Sequence, residues 1–202
     1  MTSDQEPAEL PPRIGRPPAA DRSEVAAAAL DLFSRHGFAR TTVDAIAAEA
    51  GISRRSFFRY FDSKNDVVWG DFDALLASME AWLAGVDDDV PVLDALTDAV
   101  VRFNAVPPEA EAAHRQRMSL ILQVPALQAH STLRYAAWRD IVTRFVARRN
   151  GQPEGALLPR LVGHLTLGAA VAAYEQWLAE PGRDLAELLT QAFAALDLHL
   201  DP

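Results

Sequence analysis

The chain has 202 residues, half hydrophobic and 23% charged, enough for one large domain or two small ones around a buried core. It contains no Cys, which excludes disulfide scaffolds, thiolate metal sites, iron–sulfur clusters and cysteine nucleophiles. The formal charge of −9 is unevenly spread: nine basic and six acidic residues between Arg13 and Lys64 give that segment +3, leaving −12 elsewhere.

Residues 1 to about 20 contain five prolines and few large apolar residues, and are expected to form a disordered arm. The acidic opening, Met1 to Glu6, lacks the apolar stretch of a signal peptide, and no run approaches the ~20 apolar residues that span a bilayer. A cytoplasmic location without membrane contact is the resulting expectation. From Asp21 onward the pattern is helical. Val25, Ala29, Leu32, Phe33 and His36 fall at helical offsets and Gly37 ends that run. Thr42 stands at an N-cap position before Val43, Ile46, Ala47 and Ala50; Gly51 breaks this second helix, and Ser53 caps a third over Arg54 to Phe61.

Ser63 and Asp66 resemble a capping pair for a long fourth helix, with Val68, Phe72, Leu75, Leu76, Met79, Trp82 and Leu83 as its stripe. A fifth runs from about Pro91 to Phe103, ended by Pro107-Pro108, and Pro125 divides the next stretch. Helices over about 127–149, 156–179 and 183–199 complete the chain, the last carrying Leu185, Leu188, Leu189, Ala192, Leu196 and His199 on one stripe. The expectation is an all-α protein of about nine helices. Residues 21–66 would form a three-helix helix-turn-helix bundle, and residues 67–202 a larger ligand-binding and dimerisation domain.

Helix two, the Gly51 turn and helix three carry the chemistry. At 100° per residue Phe57 and Phe61 point inward, Arg55, Ser56, Arg59 and Tyr60 point outward, and Arg54 and Phe58 lie at the boundary. Guanidinium forks match guanine O6 and N7, and hydroxyls and arginines reach phosphates, so this face suits duplex DNA. The plain alternative is a solvated helix with chance arginines.

Residues 22–69 resemble the DNA-binding domain of the TetR family of one-component regulators. The likeness rests on Ala28-Ala29-Leu30-Asp31-Leu32-Phe33, Thr41-Thr42-Val43, Ala50-Gly51-Ile52-Ser53 and Phe58-Arg59-Tyr60-Phe61-Asp62-Ser63-Lys64. It is closer still to regulators of the mycofactocin system, through Ser53-Arg54-Arg55-Ser56-Phe57-Phe58, Asn65-Asp66-Val67-Val68-Trp69-Gly70-Asp71, His114-Arg115-Gln116-Arg117-Met118 and Pro125-Ala126-Leu127-Gln128-Ala129-His130-Ser131. The resemblance implies a homodimeric repressor on a palindromic operator, released by a small-molecule effector, with a long-chain acyl-CoA as the candidate. By the same resemblance Thr42 and Lys64 would contact phosphates, and Arg54, Arg55, Ser56, Phe58 and Arg59 would meet bases and backbone, with Thr41, Ser53 and Tyr60 beside them. Phe58 departs from the family's usual Tyr, which removes one phosphate hydrogen bond. Tyr60 stands where His is frequent. Gly15-Arg16-Pro17, with Arg13 nearby, resembles an arm that inserts Arg into a narrow minor groove; an inert tail is the alternative.

In the larger domain Gly163, Leu167, Gly168, Val171, Ala172 and Glu175 on the eighth helix, with Leu188, Ala192, Ala195 and Leu196 on the ninth, suit a dimer interface; ordinary monomer core is the plain alternative. Candidate pocket residues are Phe72, Leu76, Phe103, Met118, Leu122, Trp138, Val142 and His164, with Arg115 and Arg117 for an anionic head group; the plain alternative for each is ordinary core. No cofactor, metal ligand set or catalytic residue is expected. The five histidines are scattered, and no zinc-protease spacing, nucleophile elbow, Walker loop or dinucleotide fingerprint occurs, so an all-α enzyme is disfavoured. The other rival is an interaction adaptor that keeps the helix-turn-helix fold without DNA; it predicts no salt-dependent duplex binding.

Overall fold

Asp21 opens the first helix, α1 (Arg22–His36), with a reciprocal cap: its carboxylate accepts from the Glu24 amide at 2.9 Å, while Glu24 accepts from the Asp21 amide at 2.8 Å. The structure is a computed structural model and describes residues 21–196. The expected arm with Arg13 and Arg16, and the end of the final helix with His199, lie outside those residues. Among the described residues the chain is all helical, with nine α-helices, two short 3-10 helices and no strand.

Local sequence sets the first three helices. Thr42 Oγ1 accepts from the Ala45 amide at 3.1 Å to start α2 (Val43–Glu49), and Ser53 Oγ accepts from the Ser56 amide at 3.0 Å to start α3 (Arg54–Tyr60). Such caps contribute about 1 kcal/mol each. Between them Gly51 takes φ 65°, a left-handed turn that lets α3 cross α2 without steric cost. Val25, Ala29, Phe33, Ile46, Phe57 and Phe61 close the small core.

The long fourth helix expected from Ser63 is divided. A 3-10 helix covers Lys64–Trp69, Gly70 breaks the chain at φ 53°, ψ −129°, and α4 (Phe72–Ala84) follows. The physical reason is burial of three consecutive residues, Val67, Val68 and Trp69, which one stripe of an α-helix cannot supply. Ser63 does not cap backbone; its hydroxyl donates to the Asp66 carboxylate at 2.6 Å. Asp66 is also held from the larger bundle by His130 Nε2 at 3.0 Å and Arg134 at 3.5 Å.

The larger bundle comprises α5 (Val92–Phe103), a 3-10 turn at Pro108–Ala110, α6 (Glu111–Gln123), α7 (Pro125–Arg149), α8 (Leu157–Ala179) and α9 (Leu185–Ala194). Pro125 starts α7, where its missing amide costs nothing. Helix α8 runs between α7 and α9 and turns Val162, Thr166, Ala170, Ala173, Tyr174 and Trp177 inward. By length and composition α8 could cross a membrane, although it carries Arg160, His164 and Glu175; 39% of its most apolar window is buried here. Two residues expected at a dimer face belong to the core of the chain itself. A Cβ on Gly163 would lie 2.8 Å from Thr143 Oγ1 and 3.1 Å from the Arg139 carbonyl, so this glycine lets α7 and α8 approach closely. Leu188 is likewise buried.

Candidate nucleic-acid interface and effector pocket

Helix α3 is anchored from behind by Phe57 and Phe61, both buried, with ring centroids 5.5 Å apart. The outer face presents Arg54, Arg55 and Arg59, all exposed, with Ser53, Ser56 and Tyr60 among them. Arg55 has no hydrogen-bond or ion-pair partner among the described residues. Arg59 donates to Tyr60 Oη at 3.0 Å and lies 4.9 Å from that ring's centroid, an arrangement that extends both side chains over the surface. Arg54 donates through Nη1 alone to both carboxylate oxygens of Asp44 on α2, each at 2.8 Å, and stacks over Phe58, which is 44% exposed. An exposed pair of this kind is worth at most about 1 kcal/mol, so an incoming phosphate can displace it. Thr42 is exposed at the start of α2, its hydroxyl proton available beyond the cap.

Thr41 and Lys64 have other tasks. Thr41 is buried, and its hydroxyl donates to the Gly37 carbonyl at 2.9 Å, so it fixes the α1–α2 corner and cannot meet a duplex. The half-buried Lys64 ammonium donates to the carbonyls of Phe38 at 2.7 Å and Thr41 at 2.9 Å, and sits 4.3 Å from the Phe38 ring centroid. Two of its three protons are therefore used internally, and burial holds its pKa below the usual lysine value. Sequence reasoning missed Asp44, which neutralises Arg54, and Arg22, whose Nη2 donates to the Gly70 carbonyl at 3.0 Å. Neither contact has a local signature.

A cavity of about 100 Å³ opens in the larger bundle, its walls supplied by the 3-10 helix and by α4 to α8. Six expected residues line it: Phe72, Phe103, Arg117, Met118, Leu122 and Trp138. Leu76 and Val142 face the core beside it. Arg115 stacks on Trp177, 3.9 Å from the ring centroid, and donates to the Trp177 carbonyl. His164 is exposed in a separate groove with Arg139, Asp140 and Glu154. Leu167 and Val171, expected at a dimer face, turn toward the cavity.

Trp69, Asn104, His114, Tyr135 and Tyr174 also line it and were not expected. Asn104 Nδ2 donates to the Val100 carbonyl at 2.7 Å, which aims its Oδ1 at the Tyr174 hydroxyl, 2.7 Å away. Tyr174 spends its proton there, so the 2.7 Å contact to His114 requires the imidazole to donate through Nε2. Burial, reinforced by the neighbouring Arg117 charge, pushes His114 down to about 4 and keeps it neutral; burial also raises the Tyr174 hydroxyl. The cavity therefore holds a neutral hydrogen-bonded chain and one cation, Arg117.

A helix-turn-helix with a basic outer face, joined to a helical bundle enclosing a largely apolar cavity, is the architecture of a DNA-binding regulator with a ligand-binding domain. Residues 25–68 match the family described as "Bacterial regulatory proteins, tetR family", and residues 90–201 match "MftR C-terminal domain". The chain belongs to the TetR family of transcriptional regulators. It is 41% identical, over 94% of its length and 96% of the relative, to the Mycobacterium tuberculosis protein named "Putative mycofactocin biosynthesis transcriptional regulator MftR". Two solved structures share the fold. Bacillus subtilis FadR in complex with stearoyl-CoA has TM-score 0.64 and 15% identity, covering 90% of this chain and 100% of that one. Thermus thermophilus FadR in complex with lauroyl-CoA has TM-score 0.53 and 23% identity, covering 87% and 93%.

Proposed function

We propose that this chain is a repressor that binds a palindromic operator as a homodimer, is released by a long-chain acyl-CoA, and controls mycofactocin-related genes. The observation that carries DNA recognition is the α3 surface: buried Phe57 and Phe61 fix the helix while Arg55 and Arg59 stand outward. Arg55 and Arg59 would read base edges, and Thr42, Ser53, Arg54, Ser56 and Tyr60 would grip the backbone. Lys64 would act mainly by holding the corner that presents Thr42, with one proton left for a phosphate.

Homodimerisation is supported by what α8 and α9 leave uncovered. Leu161, Gly168, Ala172 and Glu175 on α8 and Ala195 at the C-terminal cap of α9 are exposed, with Ala192 and Leu196 half-buried beside them. A two-fold partner there would place the two α3 helices in successive major grooves, about 34 Å apart. The effector reading draws on the FadR relatives in fold, which hold acyl-CoA, and on the aromatic and aliphatic lining here. A cavity of about 100 Å³ is smaller than the ~300–1,000 Å³ of ordinary ligand pockets. An acyl chain would have to part its walls, which gives the effector different affinities for two conformations, the requirement for release. Footprinting on the DNA upstream of the protein's own gene, repeated with added acyl-CoA, tests the whole reading. A protected two-fold site that fades with effector supports it; no protected site refutes it.

A further inference from the structure

Among the described residues three buried side-chain polar atoms lack a hydrogen-bond partner: Trp69 Nε1, Arg117 Nε and Tyr135 Oη. All three residues line the apolar cavity between the 3-10 helix and α4 to α8. Buried donors left unmade are costly and uncommon, and two of these, Trp69 and Arg117, can only donate. Arg117 is the sharper case. It forms no ion pair among the described residues, since its neighbour Asp71 is engaged with Arg22 at 3.6 Å and the inner chain of His114, Tyr174 and Asn104 is satisfied within itself. Burial disfavours its charge, yet a guanidinium cannot shed its proton. A structural role would be met more cheaply by Met or Leu of similar volume. The cavity is thus complete as an aliphatic slot and incomplete as an electrostatic one, and what it lacks is an acceptor.

We propose that Arg117 and Trp69, with the Tyr135 hydroxyl, form an acceptor subsite that recognises the acyl oxygen of the effector while the surrounding apolar walls take the chain. The inference rests on the acyl effector proposed above and adds to it the residue that sets specificity. It requires a ligand with an acyl oxygen, whether a free carboxylate or a thioester carbonyl, and rejects chains of equal length with a cationic head. Its placement also bears on regulation. A Cβ on Gly70 would meet the Arg117 guanidinium at 3.6 Å, so Arg117 packs against the break between the 3-10 helix and α4. Drawing the guanidinium toward a ligand alters the support of that break.

The test is calorimetric titration of the full-length protein and its Arg117→Met and Arg117→Lys variants with three probes: dodecanoate, dodecanoyl-CoA and dodecyltrimethylammonium. Circular dichroism and unliganded operator binding report whether each variant is folded. The wild type is expected to bind one or both acyl probes and to reject the ammonium; whichever acyl probe binds identifies carboxylate or thioester as the source. Arg117→Met is expected to weaken acyl binding about 10- to 100-fold and to lose discrimination against the ammonium, with Arg117→Lys intermediate. Trp69→Phe, which removes the indole donor alone, is expected to give a smaller loss in the same direction. Equal acyl affinity in wild type and Arg117→Met would overturn the acceptor subsite and leave the acyl effector standing. Failure of the wild type to bind either acyl probe would overturn both.

Discussion

Arg22, at the first position of α1, donates through Nη2 to the carbonyl of Gly70, 3.0 Å away, and so ties the DNA-binding helices to the break ahead of α4. Arg117, in the wall of the cavity, packs against the same glycine. A single residue therefore touches both functional regions.

Gly70 adopts φ 53°, ψ −129°, which a side chain tolerates poorly. Gly70→Ala is expected to cost about 1–3 kcal/mol, visible as a lowered thermal midpoint. Steric crowding is not the cause, because the added Cβ would meet Arg117 only at ordinary contact distance. If the break is where effector binding is transmitted, the variant also shows a reduced effector-induced loss of operator affinity. Unchanged stability would show that the turn is not strained.

The break was hidden because its determinants are not local. Ser63 with Asp66, followed by the apolar series from Val68 to Leu83, has the period of one continuous helix; only the joint burial of Val67, Val68 and Trp69 by other elements divides it. Caps and turns were legible for the opposite reason. Thr42, Ser53 and Gly51 act on amides and dihedrals within a few residues. The inward and outward faces of α3 were equally legible from its 3.6-residue period. Thr41 was misassigned, and the structural task of Lys64 was missed, because what they bind, the carbonyls of Leu32, Gly37 and Phe38 and of Thr41 itself, follows from how α1 turns into α2.

Lys64→Ala removes two charge-assisted hydrogen bonds from the α1–α2 corner. The expected result is a stability loss of about 1–3 kcal/mol together with uniformly weaker binding to every duplex. Urea denaturation and binding to operator and scrambled DNA separate the two effects. A loss confined to the operator sequence would instead make Lys64 a reader of bases.

Gly163→Ala should destabilise the larger bundle by about 1–3 kcal/mol, since its Cβ would press on Thr143 Oγ1 and the Arg139 backbone. Its sequence setting, small residues repeated along an apolar helix, reads the same for an intersubunit seam and for a close intrasubunit approach. Leu167 and Val171 show the same ambiguity: the period of α8 marks them as packed without saying against what. His114 and Tyr174 were missed because their contact joins α6 and α8, 60 positions apart in the chain. A lowered thermal midpoint for Gly163→Ala with the oligomeric state of the wild type unchanged supports packing within the chain; a changed oligomeric state with the fold and thermal midpoint intact argues for the proposed dimer seam.

His114 gives a pH signature. The unfolded imidazole takes its proton near pH 6.5, whereas the buried one resists protonation to about 4. Between these values the unfolded state holds the extra proton, so stability present above pH 6.5 is lost as the pH falls toward 4. The loss amounts to about 3 kcal/mol at most. Carboxylates such as Asp66, lowered from 3.8 chiefly by the Ser63 hydroxyl and the His130 charge against the opposing effect of burial, act below that window. Urea melts at pH 7 and pH 4.5 should show a shallower decline for His114→Gln than for the wild type. Parallel declines would refute the assignment.

The central claim is that α3 reads DNA through Arg55 and Arg59. Fluorescence anisotropy with the DNA upstream of the protein's own gene, at a series of salt concentrations, measures it directly for the wild type and for Arg55→Ala and Arg59→Ala. The account predicts a steep fall of wild-type affinity with salt, and for each variant a loss of preference for operator over scrambled duplex of about 1–3 kcal/mol with the fold intact. Salt-insensitive binding, or variants that discriminate between the duplexes as well as the wild type does, would contradict it.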